Sequence, residues 1–156
     1  MPTVVEQVRS QAPSVTGIHH VTFVVGNLAE GTAWFEAAFG AVHRSRFDHH
    51  DSDGALFGVI LELEGFPGVI ELRVATDDYP LPVAYDPVTF EVPDDGELER
   101  WLEHLEAVGA HHSPIKQRRT GRSIEVTTPD GVLLRLFTAP VGGFGAVPFQ
   151  ELHVEN

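Results

Sequence analysis

Apolar positions along this chain recur at two periods, two for strands and about 3.6 for helices, and the order of those periods is itself repeated. Residues 17–25 (GIHHVTFVV) are β-branched and aromatic, with Val21, Phe23 and Val25 on alternate positions, which predicts a strand. Asn27 is placed to cap a helix over 28–39, where Leu28, Trp34, Phe35, Ala38 and Phe39 recur at roughly helical spacing, and Gly40 fits the left-handed position that ends it. Three more strands are predicted over 41–47, 55–64 and 69–75, separated by turn residues at 51–54 and 65–68. The pattern then restarts with a strand over 86–92 (DPVTFEV) and a helix capped by Asp94, with Glu97 three residues on as in a capping box. In that helix Leu98, Trp101, Leu102 and Leu105 form the apolar stripe, and Gly109 ends it. Strands over 110–115, 122–127 and 132–138 follow, the last two joined by the Pro- and Gly-bearing turn 128–131.

Both halves therefore read β-α-β-β-β. Aligned, His20-Val-Thr-Phe-Val-Val faces Pro87-Val-Thr-Phe-Glu-Val, and Phe39-Gly-Ala-Val-His43 faces Val108-Gly-Ala-His-His112. One element order at nearly equal spacing points to an internal duplication. The expected fold is α+β: two tandem β-α-β-β-β modules, 17–76 and 86–139, forming a curled, partly closed sheet around a shared cleft. An extension (1–16, with Val4, Val5 and Val8 at helix-like spacing) precedes this domain of 17–139. A Gly/Pro-rich tail (140–156, with Phe144 and Phe149) follows it. The tail would cover the cleft mouth, meet a second subunit or stay loose.

Strand parity sorts the side chains. Val21, Phe23 and Val25, Ile70, Leu72 and Val74, Val88, Phe90 and Val92, and Leu134 and Leu136 form faces that lie under the helices. The opposite faces carry His20, Thr22 and Val24, then Val69, Glu71 and Arg73, then Thr89 and Glu91, then Leu133, Arg135 and Phe137. Two sheets set side by side would gather His20, Glu71, Arg73, Glu91 and Arg135 in one concave site, where desolvation demands that charges be paired, ligated or functional. The plainer expectation is an ordinary ion pair, Glu71 with Arg135 or Arg73 with Glu91, on a half-exposed face.

Composition narrows the chemistry. With 156 residues the chain forms one domain, and the absence of cysteine removes disulfides, thiolate metal sites and a Cys nucleophile. Ten basic residues against 23 acidic ones give a net charge of -13, which repels phosphate backbones and excludes nucleic acid as a partner. The basic run 116–119 reads as a solvated turn. No apolar run is long enough to cross a membrane and no signal-like segment opens the chain, so the expectation is a soluble, cytoplasmic protein without a membrane partner. Of the nine histidines, His49 and His50 sit among Asp48, Asp51 and Asp53 in what reads as a solvated turn, His104 lies on the polar side of its helix, and His153 is in the tail.

The duplicated order, the opening Gly-Ile-His-His-Val-Thr-Phe-Val-Val-Gly-Asn-Leu and the closing Thr-Pro-Asp-Gly-Val-Leu-Leu-Arg-Leu-Phe resemble the vicinal oxygen chelate superfamily over about residues 17–139. That superfamily contains glyoxalase I, extradiol dioxygenases, fosfomycin-resistance enzymes and bleomycin-binding proteins. The resemblance implies metal ligands on the first and last strands of each half, and His20 and Glu71 match two of them. Pro87 and Arg135 hold the other two positions, and neither donates a lone pair to a metal. The implied divalent metal site is therefore partial, with Glu91, His43 and His112 as possible third donors. The resemblance also implies a homodimer and a small-molecule ligand, and nothing points to a nucleotide cofactor.

Two functions follow. The first is a small-molecule enzyme of isomerase, lyase or cyclase type acting on an oxygen-rich metabolite. There Glu71 or Glu91 moves a proton and Arg135 stabilises an oxyanion, with Thr22, Arg73, Thr89 and Phe137 binding substrate. It works with a weakly held metal on His20 and Glu71 or with none. The second is a non-catalytic drug- or metabolite-binding protein of the bleomycin-resistance kind, for which an acidic groove would favour cationic ligands.

Overall fold

The computed structural model describes residues 12–146 and folds them into two five-stranded sheets, each backed by one helix. The first half contains β1 (His20–Val25), α1 (Leu28–Phe39), β2 (Val42–His43), β3 (His49–His50), β4 (Leu56–Glu62) and β5 (Val69–Val74). The second contains β6 (Val88–Val92), α2 (Asp95–Val108), β7 (His111–His112), β8 (Lys116–Gln117), β9 (Arg122–Thr127) and β10 (Leu133–Thr138). The sheet orders are β1-β5-β4-β2 and β6-β10-β9-β7, with β3 added to β4 and β8 to β9. In each sheet the first and last long strands pair in parallel, and the remaining pairs are antiparallel. The α+β expectation of two β-α-β-β-β units holds. The residues of the extension up to 11 and those from 147 onward, with Val4, Val5, Val8, Phe149 and His153, lie outside the described residues.

Helix ends form where the capping chemistry places them. Asn27 Oδ1 accepts the Glu30 N–H at 2.9 Å, and Asp94 Oδ1 accepts the Glu97 N–H at 2.8 Å. Gly40 (φ 65°) and Gly109 (φ 72°) close the two helices in the left-handed conformation. The Glu97 carboxylate pairs with Arg100 at 3.1 Å. The second predicted strand differs in both halves. In place of 41–47, β2 stops at His43, the chain makes a short 3-10 turn at Ser45–Phe47, and it returns as β3. In place of 110–115, β7 covers only His111–His112, and β8 follows at Lys116–Gln117. His49–His50 is thus a paired strand and not a solvated turn, and Lys116–Gln117 pairs with β9.

The burial pattern follows strand parity, with Phe23, Val59, Leu61, Ile70 and Leu72 buried under α1 and Ile124, Val126, Leu134 and Leu136 under α2. All of them belong to one continuous core. Phe39 is the hinge of that continuity. At 5 % exposure it meets Trp34 and Phe35 on its own helix, and Phe90 (5.4 Å between centroids) and Trp101 (5.5 Å) of the other half. Phe66, in the β4–β5 turn, packs edge-on against the same Phe90 at 5.8 Å. His104, expected on a polar face, instead spans the two helices, its Nε2 donating to the Ala37 and Ala38 carbonyls at 3.0 and 3.1 Å. Those are carbonyls of the last turn of α1, which lack helical partners. Opposite, the Gly26 N–H at the end of β1 donates to Asp130 Oδ1 in the β9–β10 turn at 3.0 Å.

Because the halves share one core, Phe39→Ala is expected to cost about 3–5 kcal/mol and to destabilise both halves together. Denaturant unfolding followed by Trp34 and Trp101 fluorescence and by far-UV circular dichroism should show one transition at a lower midpoint. Two separated transitions would contradict a shared core.

Candidate functional site

The parallel pairs set equivalent residues opposite each other in the two sheets. Thr22 pairs with Glu71 across β1 and β5, and Thr89 pairs with Arg135 across β6 and β10. The duplicated Val-Thr-Phe therefore marks one structural position, and its cross-strand neighbour is a carboxylate in one half and a guanidinium in the other.

In the first sheet Glu71 is buried, which is costly for a carboxylate unless its oxygens are satisfied. Thr22 Oγ1 donates to Glu71 Oε1 at 3.2 Å, and His49 Nε2 lies 3.1 Å from Glu71 Oε2. His49 carries no periodic signal, because a two-residue strand has no periodicity and its aspartate neighbours disguise it as a loop. The structure places it deliberately. β3 reaches β4 through an irregular register, with His49 opposite Gly58. A Cβ on Gly58 would lie 3.0 Å from His49 Cδ2 and 3.4 Å from the Leu72 carbonyl, so the missing side chain makes room for the imidazole. Phe57 stacks on the ring from the same strand, at 5.7 Å and 26°.

Arg73, two residues beyond Glu71 and on the same face, is held by aromatic rings. Its guanidinium carbon lies 5.3 Å from the centroid of Phe57 and 4.9 Å from that of Tyr79. Tyr79 belongs to the segment joining the halves, which also contributes Asp78, Pro80, Pro82 and Tyr85 to a pocket of about 360 Å³ completed by Thr22, Phe23, Val24 and Val132. Neither tyrosine was legible as a site residue, since the connecting segment carries no periodic pattern. His20 opens β1 and is exposed, its Nδ1 2.9 Å from that of His19, so one ring donates and the other accepts.

The second sheet holds a separate charged cluster. Arg135 Nη2 lies 3.2 Å from Asp86 Oδ2, while its buried Nε–H has no hydrogen-bond partner among the described residues. Glu125, opposite Arg135 on β9, receives Lys116 Nζ and Arg118 Nη2, each at 3.0 Å, and Arg118 Nε donates to Ser123 Oγ at 3.1 Å. The run 116–119 is thus no solvated turn: two of its cations are tied to Glu125. Thr89 and Glu91 are exposed on β6, and Phe137 is half-buried on β10. Glu91 makes no ion pair with Arg73, and Glu71 makes none with Arg135. The predicted site residues fall into two groups, Thr22, Glu71 and Arg73 on one sheet and Thr89, Glu91, Arg135 and Phe137 on the other.

The donor set does not fit a resident divalent metal within one chain. Among the described residues no group of three or more His, Asp, Glu or Cys side chains converges on a point. Both Glu71 oxygens are engaged by Thr22 and His49, and the equivalent position in the second half carries the positive charge of Arg135. Of the possible third donors, His43 Nε2 lies 2.7 Å from Asp48 and His112 Nδ1 donates to the Ser113 carbonyl at 2.7 Å.

Residues 17–136 match the family model described as Glyoxalase/Bleomycin resistance protein/Dioxygenase superfamily. No curated protein matches the chain. Among solved structures, the fold is similar to a fosfomycin resistance protein, FosX, from Listeria monocytogenes, crystallised with Mn(II) and a dihydroxypropylphosphonic acid. That likeness has a TM-score of 0.63 at 22% identity and covers 80% of this chain and 93% of the other. TnmS3, an antibiotic-binding protein from Streptomyces sp. CB03234, matches with a TM-score of 0.66 at 15% identity, over 83% of this chain and 99% of that one. A glyoxylase/bleomycin resistance protein/dioxygenase domain from Frankia sp. EAN1pec matches with 0.63 at 18% identity, over 80% and 98%. At these identities the likeness speaks for the fold alone.

The Glu125 cluster yields a pH-dependent prediction. The hydrogen bond from Lys116 holds the Glu125 carboxyl below its ordinary value; burial opposes this, and the charges of Lys116, Arg135 and Arg118 add to it. A carboxyl depressed in the folded state stabilises the fold above its unfolded value of about 4.3, and that contribution is lost as pH falls through the lower folded value. Glu125→Gln should therefore be less stable than the parent by roughly 1–3 kcal/mol at pH 7. The gap should close on acidification below about pH 4, as read by urea unfolding at both pH values.

Proposed function

The chain belongs to the Glyoxalase/Bleomycin resistance protein/Dioxygenase superfamily, and on that footing we propose that it is a small-molecule enzyme that moves a proton on a carbon beside a carbonyl group. The observation that carries this reading is Glu71: a buried carboxylate on the sheet face away from the helix, held by Thr22 and His49 and beside a pocket. A carboxylate in such a setting is placed to act as a base, held in one orientation by two hydrogen bonds. Glu71 accepts the proton, the bonding pair passes to the carbonyl oxygen, and the resulting enolate needs a hydrogen-bond donor. Arg135 is the proposed donor, a guanidinium at the position that Glu71 holds in the other half. Return of the proton to the same or a neighbouring carbon gives isomerase chemistry, and loss of a leaving group gives lyase chemistry. Glu91 is the weaker choice of base, being exposed. Two copies of the chain acting as a homodimer, inside the cell, complete the reading.

A binding protein without catalysis is the second reading, favoured by the walls of the pocket, where Tyr79, Pro80, Pro82 and Tyr85 outnumber the single carboxylate of Asp78. Such walls suit a flat ligand and ask nothing of Glu71.

One measurement separates the two. In D₂O, a panel of small 2-oxo acids and hydroxyketones is followed by NMR for exchange of the protons beside the carbonyl. The expected outcome is protein-catalysed exchange that survives exhaustive chelation and drops at least about 100-fold in Glu71→Gln. Ligand recovered unchanged and unexchanged after stoichiometric binding supports the binding protein. Exchange that Glu71→Gln leaves intact removes Glu71 as the base.

A further inference from the structure

Most cations of the described residues face a carboxylate, among them Arg44, Arg100, Arg118, Arg122, Arg135 and Lys116. Arg46 lies over one ring, Phe47, at 4.6 Å, and Arg73 is held between two. Arg73 has no ion pair and donates no hydrogen bond among the described residues, although the chain has 23 acidic side chains to supply one. What holds it is the pair of rings Phe57 and Tyr79. Aromatic faces attract the guanidinium and fix its plane without consuming its N–H groups, so the donor edge stays available to an acceptor.

From this arrangement we infer that Arg73 is the receptor for the carboxylate of an apolar, preferably aromatic, small carboxylic acid whose body lies in the pocket walled by Tyr79, Pro80, Pro82 and Tyr85. Tyr79 belongs to both parts, stacking on Arg73 and lining the pocket, which puts the cation at the pocket's edge. A single guanidinium fork matches a single carboxylate in shape and in charge, whereas a phosphate dianion would meet more of the repulsion of a chain with net charge -13. The pocket's volume of about 360 Å³ is sufficient for one aromatic ring with a short side chain.

This inference rests on the proton-transfer reading of the same face and sharpens its substrate. Glu71 and Arg73 are two residues apart on one strand, about 6.6 Å at the strand rise of 3.3 Å per residue. Thr22, which donates to Glu71, lines the pocket, and Val24 pairs with Arg73. An acid whose carboxylate is seated on Arg73 and whose chain runs back along β5 meets Glu71. The substrate class is a short oxo acid with an apolar substituent.

The test uses phenylacetate and phenylacetamide, which share an aromatic body and differ in the charge of the head, titrated calorimetrically into the full chain. Phenylacetate should bind at least about 10-fold more tightly than the amide. Arg73→Gln should abolish that preference while leaving the amide's affinity within about twofold, and Tyr79→Leu should weaken both probes. Arg100→Gln removes the same charge from the outer face of α2 and should leave the preference intact. Equal binding of the two probes, no binding of either, a preference that survives Arg73→Gln, or an equal loss in Arg100→Gln each overturns the inference. Repeating the titration in Glu71→Gln keeps it apart from the catalytic reading. Retained carboxylate preference there, with proton exchange unaffected by the substitution, would sink the base and leave the receptor standing.

Discussion

The constraint on which the rest depends is the aromatic junction around Phe39. Each half is a sheet with one helix, and a single layer of that size buries too little apolar surface to stand alone. Phe39, on α1, inserts between Phe90 and Trp101 of the other half, and His104 closes the end of α1 from α2. The helices are thereby committed to the shared core, and the opposite sheet faces are left free to carry polar groups. Helix-side burial is what permits a face with Thr22, Glu71 and Arg73 to exist without collapsing into the core.

Duplication then supplies two copies of one geometry, and the copies have diverged in charge. A threonine faces Glu71 in one half and another faces Arg135 in the other. Exchanging a carboxylate for a guanidinium at such a position changes the kind of partner it can hold. A carboxylate ligates cations or accepts protons, and an arginine donates to anions. The first sheet has taken on a buried acid with its own hydrogen-bond partners. The second has neutralised most of its cations internally, Lys116 and Arg118 on Glu125 and Arg135 on Asp86. What remains unsatisfied on it is one N–H of Arg135.

The two-period pattern read from the sequence located the long strands, both helices and their caps almost to the residue, because each rests on several repeats of one physical signal. Parity likewise placed Thr22, Glu71 and Arg73 on one face. It assigned the charged groups to two sheets, but alternation fixes a face and says nothing of the distance between faces. His49, Tyr79 and Tyr85 were illegible for a different reason. Each lies in an element of two residues or in the connecting segment, where periodicity has no length over which to accumulate. His49 in particular is defined by what β4 omits, a side chain at Gly58, and an omission becomes visible only once the strands are paired.

Those unpatterned residues are also the ones that give the first sheet its specificity. A base and a cation two positions apart on one strand would ordinarily neutralise each other or recruit counter-charges from an acidic surface. Here each is restrained by a different class of interaction. Glu71 is held by hydrogen bonds from a hydroxyl and an imidazole, Arg73 by the faces of two rings, and Phe57 touches both His49 and Arg73. Holding a cation by π faces keeps its N–H donors vacant, whereas an ion pair would occupy them. Holding an anion by a hydroxyl and an imidazole fixes its orientation without an arginine bridge. One ring in contact with Arg73 and with His49, the partner of Glu71, lets their geometry be fixed together, which is the condition a site needs if it is to grip one end of a molecule and move a proton at the other.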